Sequence, residues 1–374
     1  MKKILIFYAS FGGGHLSAAK SIESYLLQNY KEIDVELIDC MKYVNKAFEK
    51  ISTTAYKEMA KKMPWAWGKM YESSQKGPLA HISSKANSFM AIKLLKLLRE
   101  KQPDIVISTH PFGSQMCSYL KRKKKVNFKI ATIMTDFKSH DQWLVGADYT
   151  DFFFVSNTDM QRELITKNID ENKVIVTGIP VREDFLKPHN REQILKDLNF
   201  SDNKKTILFF GGGEFGLGKE ITLNVLECLL KKCTNTHIIA ISGRNEAMNK
   251  KFKNLAMQYN RTEDVRIFEF TDKVAEFMSI SSLVITKPGG LTSSESMVSH
   301  LPMVIINPIP GQEEENAEFL ENKKVAKWIK KDDDINFILN ILVNDDNILN
   351  TMKENTYLIA KPNATENICK IIMN

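Results

Sequence analysis

Apolar runs and amphipathic stretches alternate along the chain. Residues 2–9 are predicted to form a strand, apolar from Ile4 onwards, that ends in a glycine turn at residues 10–14. Helical periodicity follows to about Tyr30, and residues 35–40 form the next predicted strand. Continuous apolar strands joined by helices are typical of parallel sheets covered on both faces. The pattern therefore predicts an α/β fold.

The same plan of strand, glycine loop and helix begins again after residues 181–203, a polar stretch without a strand signal that suggests a linker. A chain of 374 residues has the length expected of two domains. We predict a first domain over residues 1–190, with a helical insertion at 41–101, and a second domain over 204–355. Residues 356–374 are expected to form a C-terminal helix that packs back on the first domain.

Residues 286–316 contain two predicted strand ends with polar side chains beside them. The first strand ends at Lys287, followed by Pro288, Gly289 and Gly290, and two glycines there let backbone N–H groups approach an anion at the next helix start. Open α/β sheets bind ligands at this edge. The alternative is that the nearby acidic residues only stabilise helix starts through the dipole.

The first glycine turn supports two interpretations. Its sequence GGGHLS carries the first glycines of a dinucleotide fingerprint, with Ser17 at the third position and Asp39 where a ribose-binding acid could lie. A nicotinamide-dependent oxidoreductase is therefore an alternative. His15, at a helix start, would instead suit a general base titrating near neutral pH, or a purely local helix-start role. Asp136, at a later strand end on the same rim, could orient that histidine.

A second glycine loop, residues 211–218, matches both GxGxxG and GxxxxGK. Glu220 stands where a P-loop needs Ser or Thr to bind magnesium, which argues against GxxxxGK. The next predicted strand does not end in the acid that would bind a ribose, which argues against GxGxxG. A glycine loop suited to phosphate, or to a close approach of backbone, remains.

Composition places the chain among ordinary globular proteins, with 43% hydrophobic and 26% charged residues. Five scattered cysteines without a CxxC pair indicate neither a disulfide framework nor a zinc site, which favours a reducing cytoplasm. The net charge of +7 is uneven, because residues 1–190 carry 29 Lys and Arg against 20 Asp and Glu. The first half is therefore expected to face something anionic.

The insertion at 41–101 holds 13 Lys and Arg against 4 Asp and Glu, and Trp65 and Trp67 lie in a turn between its basic helices. Basic helices with Trp and Met suit the surface of an anionic bilayer. The alternative is a helical insertion whose tryptophans are core and whose lysines are solvated.

Six motifs in order carry a resemblance to a known family. The chain resembles the monogalactosyldiacylglycerol synthase and processive diacylglycerol glucosyltransferase branch of glycosyltransferase family 28, which is related to the lipid II-forming GlcNAc transferase. The motifs are SFGGGHLSAA (10–19), TDFKSHDQW (135–143), TGIPVREDF (177–185), FGGGEFGLG (210–218), TKPGGLTSSE (286–295) and NPIPGQEEENAEFL (307–320).

The resemblance implies a GT-B fold, in which two Rossmann-like domains face each other across a cleft. It assigns the diphosphate to Arg182, Gly211, Gly212 and Gly213, the uracil to Phe270, and the phosphates at a helix start to Gly289, Gly290, Leu291 and Thr292. It also assigns the ribose to Glu295, the sugar hydroxyls to Gln312 and Glu313, and support of that loop to Asn316. On the acceptor side it places His15 as base, Asp136 as its partner, and Gly13, Gly14, His140 and Trp143 nearby.

The implied activity is inverting transfer of a hexose from UDP-glucose or UDP-galactose to diacylglycerol, forming a β-glycosyldiacylglycerol without a metal or other cofactor. The implied protein is cytoplasmic and peripheral on the inner face of the cell membrane, contacts an anionic lipid surface through Trp65 and Trp67, and binds no nucleic acid. A transferase acting on an undecaprenyl-linked acceptor is an alternative within the same fold, and a non-catalytic nucleotide-sugar sensor is a further alternative.

Overall fold

The computed structural model describes residues 1–10, 13–44, 69, 78–211, 218–243 and 245–374, without the side chains of residues 78–89 and 219. The chain divides into two compact units. The first comprises Met1–Arg182, Pro310–Gln312 and Lys361–Asn374, and the second comprises Glu183–Ile309 and Glu313–Ala360.

Each unit contains a parallel sheet in which six described strands pair. In the first unit the strand order is β2-β1-β3-β4-β5-β6, and in the second it is β12-β11-β10-β7-β8-β9. The strands are β1 (Lys2–Tyr8), β2 (Ile33–Asp39), β3 (Ile105–Ser108), β4 (Lys129–Ile133), β5 (Phe152–Val155), β6 (Val174–Val176), β7 (Lys205–Phe210), β8 (Thr236–Ile241), β9 (Val265–Phe268), β10 (Leu283–Thr286), β11 (Met303–Ile306) and β12 (Ala326–Ile329).

Helices connect these strands in the right order for parallel pairing. They are α1 (Gly14–Asn29), α2 (Cys40–Val44), α3 (Pro78–Lys101), α4 (Pro111–Arg122), α5 (Thr158–Thr166), α6 (Arg191–Asp197), α7 (Lys219–Lys232), α8 (Glu246–Gln258), α9 (Val274–Ile280), α10 (Gly290–Val298), α11 (Gln312–Asn322), α12 (Ile335–Asn344), α13 (Asp346–Ile359) and α14 (Ala364–Met373). None of the described helices is long and apolar enough to cross a bilayer.

The C-terminal helix α14 completes the core of the first unit. Ile368, Cys369 and Ile372 are buried in one cluster with Ile4 and Ile6 of β1 and with the inner face of α1. The Lys2 ammonium donates to the carbonyls of Ile372, at 2.7 Å, and Met373, where a cation is favoured by the helix dipole.

Gly178, in the TGIPV motif, lies close to Lys361 and Ala364 at the start of α14. Its φ is +93°, a conformation that favours glycine, and a Cβ there would lie 2.3 Å from the Cβ of Lys361. Both the backbone conformation and the close approach require glycine. The structure therefore gives part of this motif a packing role.

Two segments differ from the sequence-based expectation. The expected linker at 181–203 contains α6, which buries Ile194 and Leu195, and Arg191 at its start donates to the carbonyl of Ile280 in the second unit. A helix of seven residues is too short to show clear periodicity. At the C-terminus, helix does not run through residues 356–374, because Pro362 interrupts it and α14 begins only at Ala364.

Candidate functional site

The strand order of the first unit creates a topological switch point between β1 and β3. From this point the chain proceeds to β2 on one side and to β4, β5 and β6 on the other. The loops after β1 and β3 therefore diverge at the carboxyl edge of the sheet, the place where ligands bind in open α/β sheets. His15 follows β1, and Thr109 and His110 follow β3.

His15 is held through one ring nitrogen. Its Nδ1 lies 2.6 Å from the carbonyl oxygen of Thr109 and 3.2 Å from the hydroxyl of Thr135. A carbonyl oxygen can only accept a hydrogen bond, so Nδ1 carries the proton of the neutral ring. The Nε2 atom therefore keeps its lone pair, as a proton acceptor requires.

Burial keeps this histidine neutral. The ring is half-buried, and its removal from water lowers its pKa to about 4, against a smaller opposing effect of the hydrogen bond to Thr109. The expectation of titration near neutral pH was wrong, because the sequence does not show how much of the ring is covered. A neutral His15 at physiological pH is available as a base without first losing a proton.

His110 was not among the residues predicted from the sequence, and its ring packs edge-on against His15 with the centroids 4.7 Å apart. Its Nδ1 accepts from the Phe112 N–H at the start of α4, and burial holds its pKa well below the ordinary value. The hydroxyl of Ser108 donates to its carbonyl at 2.6 Å. Only the order β1-β3 brings these two histidines together, and their separation along the chain gives no signal.

Asp136 was expected to orient His15, but the acceptor at Nδ1 is the Thr109 carbonyl instead. The Asp136 carboxylate accepts from the side-chain amide of Gln312, which is grouped with the first unit. Its carbonyl accepts from the Ser156 hydroxyl at 2.7 Å, and the residue is only 5% exposed. Asp136 thus lies at the same sheet edge with other partners.

Two further residues on the expected acceptor side have structural tasks. Trp143 is 3% exposed and packs in a cluster with Met134 and Phe153, so its indole belongs to the core. The His140 ring accepts from the Gln142 N–H and caps the short 3₁₀ helix Asp141–Leu144, and burial lowers its pKa to about 4. Gly13 and Gly14 begin α1 directly before His15, as expected from the sequence.

The second unit repeats the switch point between β7 and β10. Gly211 directly follows β7, and a Cβ there would lie 2.5 Å from the ring of Phe252 and 2.9 Å from Thr222. Only glycine fits between these side chains. Gly212 and Gly213, assigned to the diphosphate, lie outside the described residues, as do Trp65 and Trp67.

Helix α10 begins at the end of β10 with a glycine N-cap. Gly289 offers no side chain to the first N–H groups, and a Cβ there would meet no described atom within 4 Å. Gly290, Leu291 and Thr292 form the first turn, and Glu295 lies half-buried in the second. N–H groups without a side-chain cap at a helix start favour an anion.

A partly buried ion pair supports this edge of the second unit. The Lys287 ammonium lies 3.6 Å from the Glu313 carboxylate, which accepts from the Ile309 N–H at 2.6 Å. Burial lowers the pKa of Lys287 and raises that of Glu313, and in each group the charge of the partner opposes the effect of burial. The amide of Asn316, in α11, donates to the Pro288 carbonyl at 3.1 Å and so joins α11 to the loop after β10.

Phe270 and Arg182 are the remaining residues assigned to the nucleotide. Phe270 comes two residues after the end of β9 and is 73% exposed. Arg182 is half-buried at the last residue of the first unit's N-terminal segment.

Asp39, the acid of the nicotinamide interpretation, is engaged within the fold. One carboxylate oxygen accepts from the Ser10 hydroxyl at 2.5 Å and the other from the Lys42 N–H at 3.0 Å. Asp39 ends β2 and anchors the start of α2. Both of its carboxylate oxygens already accept hydrogen bonds within the fold, which argues against a role in binding a ribose. In the part of the chain that the structure describes, no group of three or more His, Cys, Asp and Glu side chains is arranged to hold a metal ion.

Comparison with known proteins agrees with this geometry. The sequence model described as monogalactosyldiacylglycerol (MGDG) synthase matches residues 15–181, and that of the glycosyltransferase family 28 C-terminal domain matches residues 206–368. A processive diacylglycerol beta-glucosyltransferase of Staphylococcus aureus is 30% identical over 393 residues, covering 100% of this chain and 93% of the relative. The chain belongs to glycosyltransferase family 28. The resemblance carried by the six motifs is thereby confirmed.

Solved structures of this type share the fold of this family 28 member. MurG of Acinetobacter baumannii aligns with a TM-score of 0.66 at 14% identity, covering 100% of this chain and 99% of that one. A UDP-GlcNAc 2-epimerase from Neisseria meningitidis, bound to UDP-GlcNAc, aligns with a TM-score of 0.64 at 16% identity over the full length of both. The prediction of a two-domain α/β fold of the GT-B type is confirmed.

His15 should titrate far below an ordinary histidine. Its pKa in the folded protein is about 4 against an ordinary 6.5, so folding favours the neutral ring. As the pH falls from about 6.5 towards 4, the unfolded chain takes up this proton first, and stability present above that window is progressively lost. An NMR pH titration of the His15 ring should give a midpoint near 4, and His15→Gln should weaken the fall in unfolding temperature between pH 6.5 and 4. A His15 midpoint near 6.5 would contradict this.

Proposed function

We propose that the protein transfers a hexose from a UDP-sugar to diacylglycerol with inversion, forming a β-glycosyldiacylglycerol. The full-length similarity to a processive diacylglycerol beta-glucosyltransferase supports the substrate classes, and favours UDP-glucose over UDP-galactose as the donor. The observation that carries the chemistry is His15, whose Nδ1 proton is held by the Thr109 carbonyl so that Nε2 is free to accept a proton.

In the proposed reaction, His15 Nε2 takes the proton of the free glycerol hydroxyl as that oxygen attacks the anomeric carbon. The new C–O bond forms as the bond from the anomeric carbon to the diphosphate oxygen breaks, and UDP leaves with the electron pair. A single displacement converts an α-linked donor into a β-glycoside. The low pKa of His15 keeps the ring neutral before the step, and the imidazolium formed is relieved by passing its proton to water.

Most of the proposed donor residues belong to the second unit, whereas Gln312 and Arg182 are grouped with the first. The uncapped start of α10 suits the diphosphate, where helix-start N–H groups stabilise the charge that develops on the leaving group without a metal. Glu295 is proposed to accept from the ribose hydroxyls, and Gln312 and Glu313 from the hexose. Arg182 and Gly211–Gly213 are proposed near the diphosphate, and Phe270 against the uracil.

Replacing His15 with Ala should lower turnover by roughly 100-fold or more, because general base catalysis typically contributes that much. Labelled UDP-glucose or UDP-galactose with diacylglycerol vesicles gives the rate, and calorimetry gives the affinity for UDP, which should change little. We expect more product from UDP-glucose. Near-normal turnover of the variant would remove His15 from the mechanism, and absence of glycolipid from the wild-type enzyme with either donor would refute the function.

Glu295→Gln should weaken UDP binding by roughly tenfold, the loss expected for hydrogen bonds to a charged acceptor. Gln312→Ala should instead leave the affinity for UDP nearly unchanged and alter the ratio of rates with UDP-glucose and UDP-galactose. UDP calorimetry on both variants separates the two roles. Equal UDP affinity in Glu295→Gln and wild type would exclude the ribose assignment.

We further propose that the enzyme acts as a peripheral protein on an anionic membrane surface, where its acceptor resides. The described part of the first unit carries exposed lysines at the end of α4, Lys123, Lys124 and Lys125. Each lysine near an anionic surface is worth about 1 kcal/mol of binding.

Changing all three of these lysines to Gln should reduce sedimentation with anionic vesicles markedly, by roughly 100-fold in the partition constant. The matched control changes Lys250, Lys251 and Lys253 of α8 to Gln, which removes the same charge from the second unit. Equal loss in both variants would indicate a net-charge effect, and no loss in either would exclude this surface.

A further inference from the structure

We propose that Thr109 is a positioning residue whose buried hydroxyl anchors the His15 main chain, so that the ring keeps its proton on Nδ1 and presents Nε2 as the acceptor. The catalytic consequence rests on the proposed function. The tautomer of His15 does not depend on the proposed function, and it can be measured without an activity assay.

Thr109 and His15 are joined by two hydrogen bonds that run in opposite directions. The ring N–H of His15 donates to the main-chain carbonyl of Thr109 at 2.6 Å, and the Thr109 hydroxyl donates to the main-chain carbonyl of His15 at 2.9 Å. Each residue therefore uses its side chain to hold the main chain of the other. A shift of either backbone weakens both bonds together.

The hydroxyl of Thr109 has one proton and two neighbouring carbonyl oxygens. The carbonyl of His15 lies at 2.9 Å and that of Phe7 at 3.4 Å, and the Phe7 carbonyl already accepts from the Thr109 N–H at 2.9 Å. The shorter contact identifies His15 as the principal acceptor. Thr109 is fully buried, so no water competes for this hydroxyl.

The Thr109 carbonyl is fixed at the point where β3 leaves the sheet. The Thr109 N–H bonds to the end of β1 through Phe7, which sets its carbonyl relative to the start of α1. The His110 ring lies edge-on to His15, and the Thr135 hydroxyl approaches Nδ1 at 3.2 Å. His15 is thus restrained by the loops after β3 and β4, and Thr109 forms hydrogen bonds with both its ring and its main-chain carbonyl.

The decisive variant is Thr109→Val, which keeps the shape of the side chain and removes the hydroxyl. Without the anchor to its carbonyl, His15 should shift, and its ring should exchange between the two neutral tautomers. We expect kcat with UDP-glucose and diacylglycerol to fall by roughly 10- to 100-fold, as misplacement of a reacting group does. The KM for UDP-glucose should stay within about twofold of wild type, because the donor residues are untouched.

The tautomer is read from the ring ¹⁵N chemical shifts of protein labelled at histidine, with the His15 signals assigned by their absence in His15→Gln. Wild type should show a protonated Nδ1 and an unprotonated Nε2, whereas Thr109→Val should give averaged shifts. Thr109→Ser keeps the hydroxyl and should recover the wild-type tautomer and most of kcat.

A matched control is available in the same sheet. Thr132 of β4 is fully buried, and its hydroxyl has no hydrogen-bond partner among the described residues. Thr132→Val makes the same chemical change without breaking a hydrogen bond, and should leave the His15 shifts and kcat as in wild type.

Two results would overturn the proposal. One is a wild-type His15 protonated on Nε2, which stands as evidence even if Thr109→Val fails to fold. The other is a folded Thr109→Val enzyme with the wild-type tautomer and kcat within about twofold. If the wild-type protein makes no glycolipid, the proposed function fails, and the ring shifts of Thr109→Val against wild type still decide whether the Thr109 hydroxyl anchors His15.

Discussion

Parallel strand pairing is the constraint on which the rest of this molecule depends. Because the strands of each sheet run in one direction, every loop that follows a strand emerges at the same edge. The chain then reverses its order of winding at β1 and β3 in the first unit and at β7 and β10 in the second. This geometry places the glycine turns, the two histidines and the uncapped start of α10 at the carboxyl edges of their sheets.

Burial then decides what these polar groups can do. His15 is covered enough to remain neutral, and its neighbour His110 is held neutral in the same way. In the second unit burial lowers the pKa of Lys287 and raises that of Glu313, and the opposite charge of the partner works against both shifts. Burial therefore favours a base at one sheet edge and a compensated ion pair at the other.

Several residues in or near the sequence motifs have a structural role. Asp39 anchors the start of α2, Trp143 fills a core cluster, and Gly178 makes room for the segment that leads into α14. All three lie in or near family motifs or fingerprints. Position within a motif thus does not separate a residue that contacts substrate from one that holds the loop in place.

The sequence by itself determined the α/β class, the two-domain plan and the strands. Apolar strands that alternate with amphipathic helices are compatible with few folds other than parallel sheets covered by helices. It also marked His15 and the loop after β10, since glycine turns at strand ends have a local signature. It missed α6, which is too short for periodicity, and it paired His15 with Asp136 because both follow strands of one sheet. Only the tertiary structure decided that β3 lies beside β1, which brings Thr109 and His110 to His15 from more than 90 residues away. The contacts that a side chain makes with residues of another loop depend on strand order and burial. The local pattern of residues predicts neither of these.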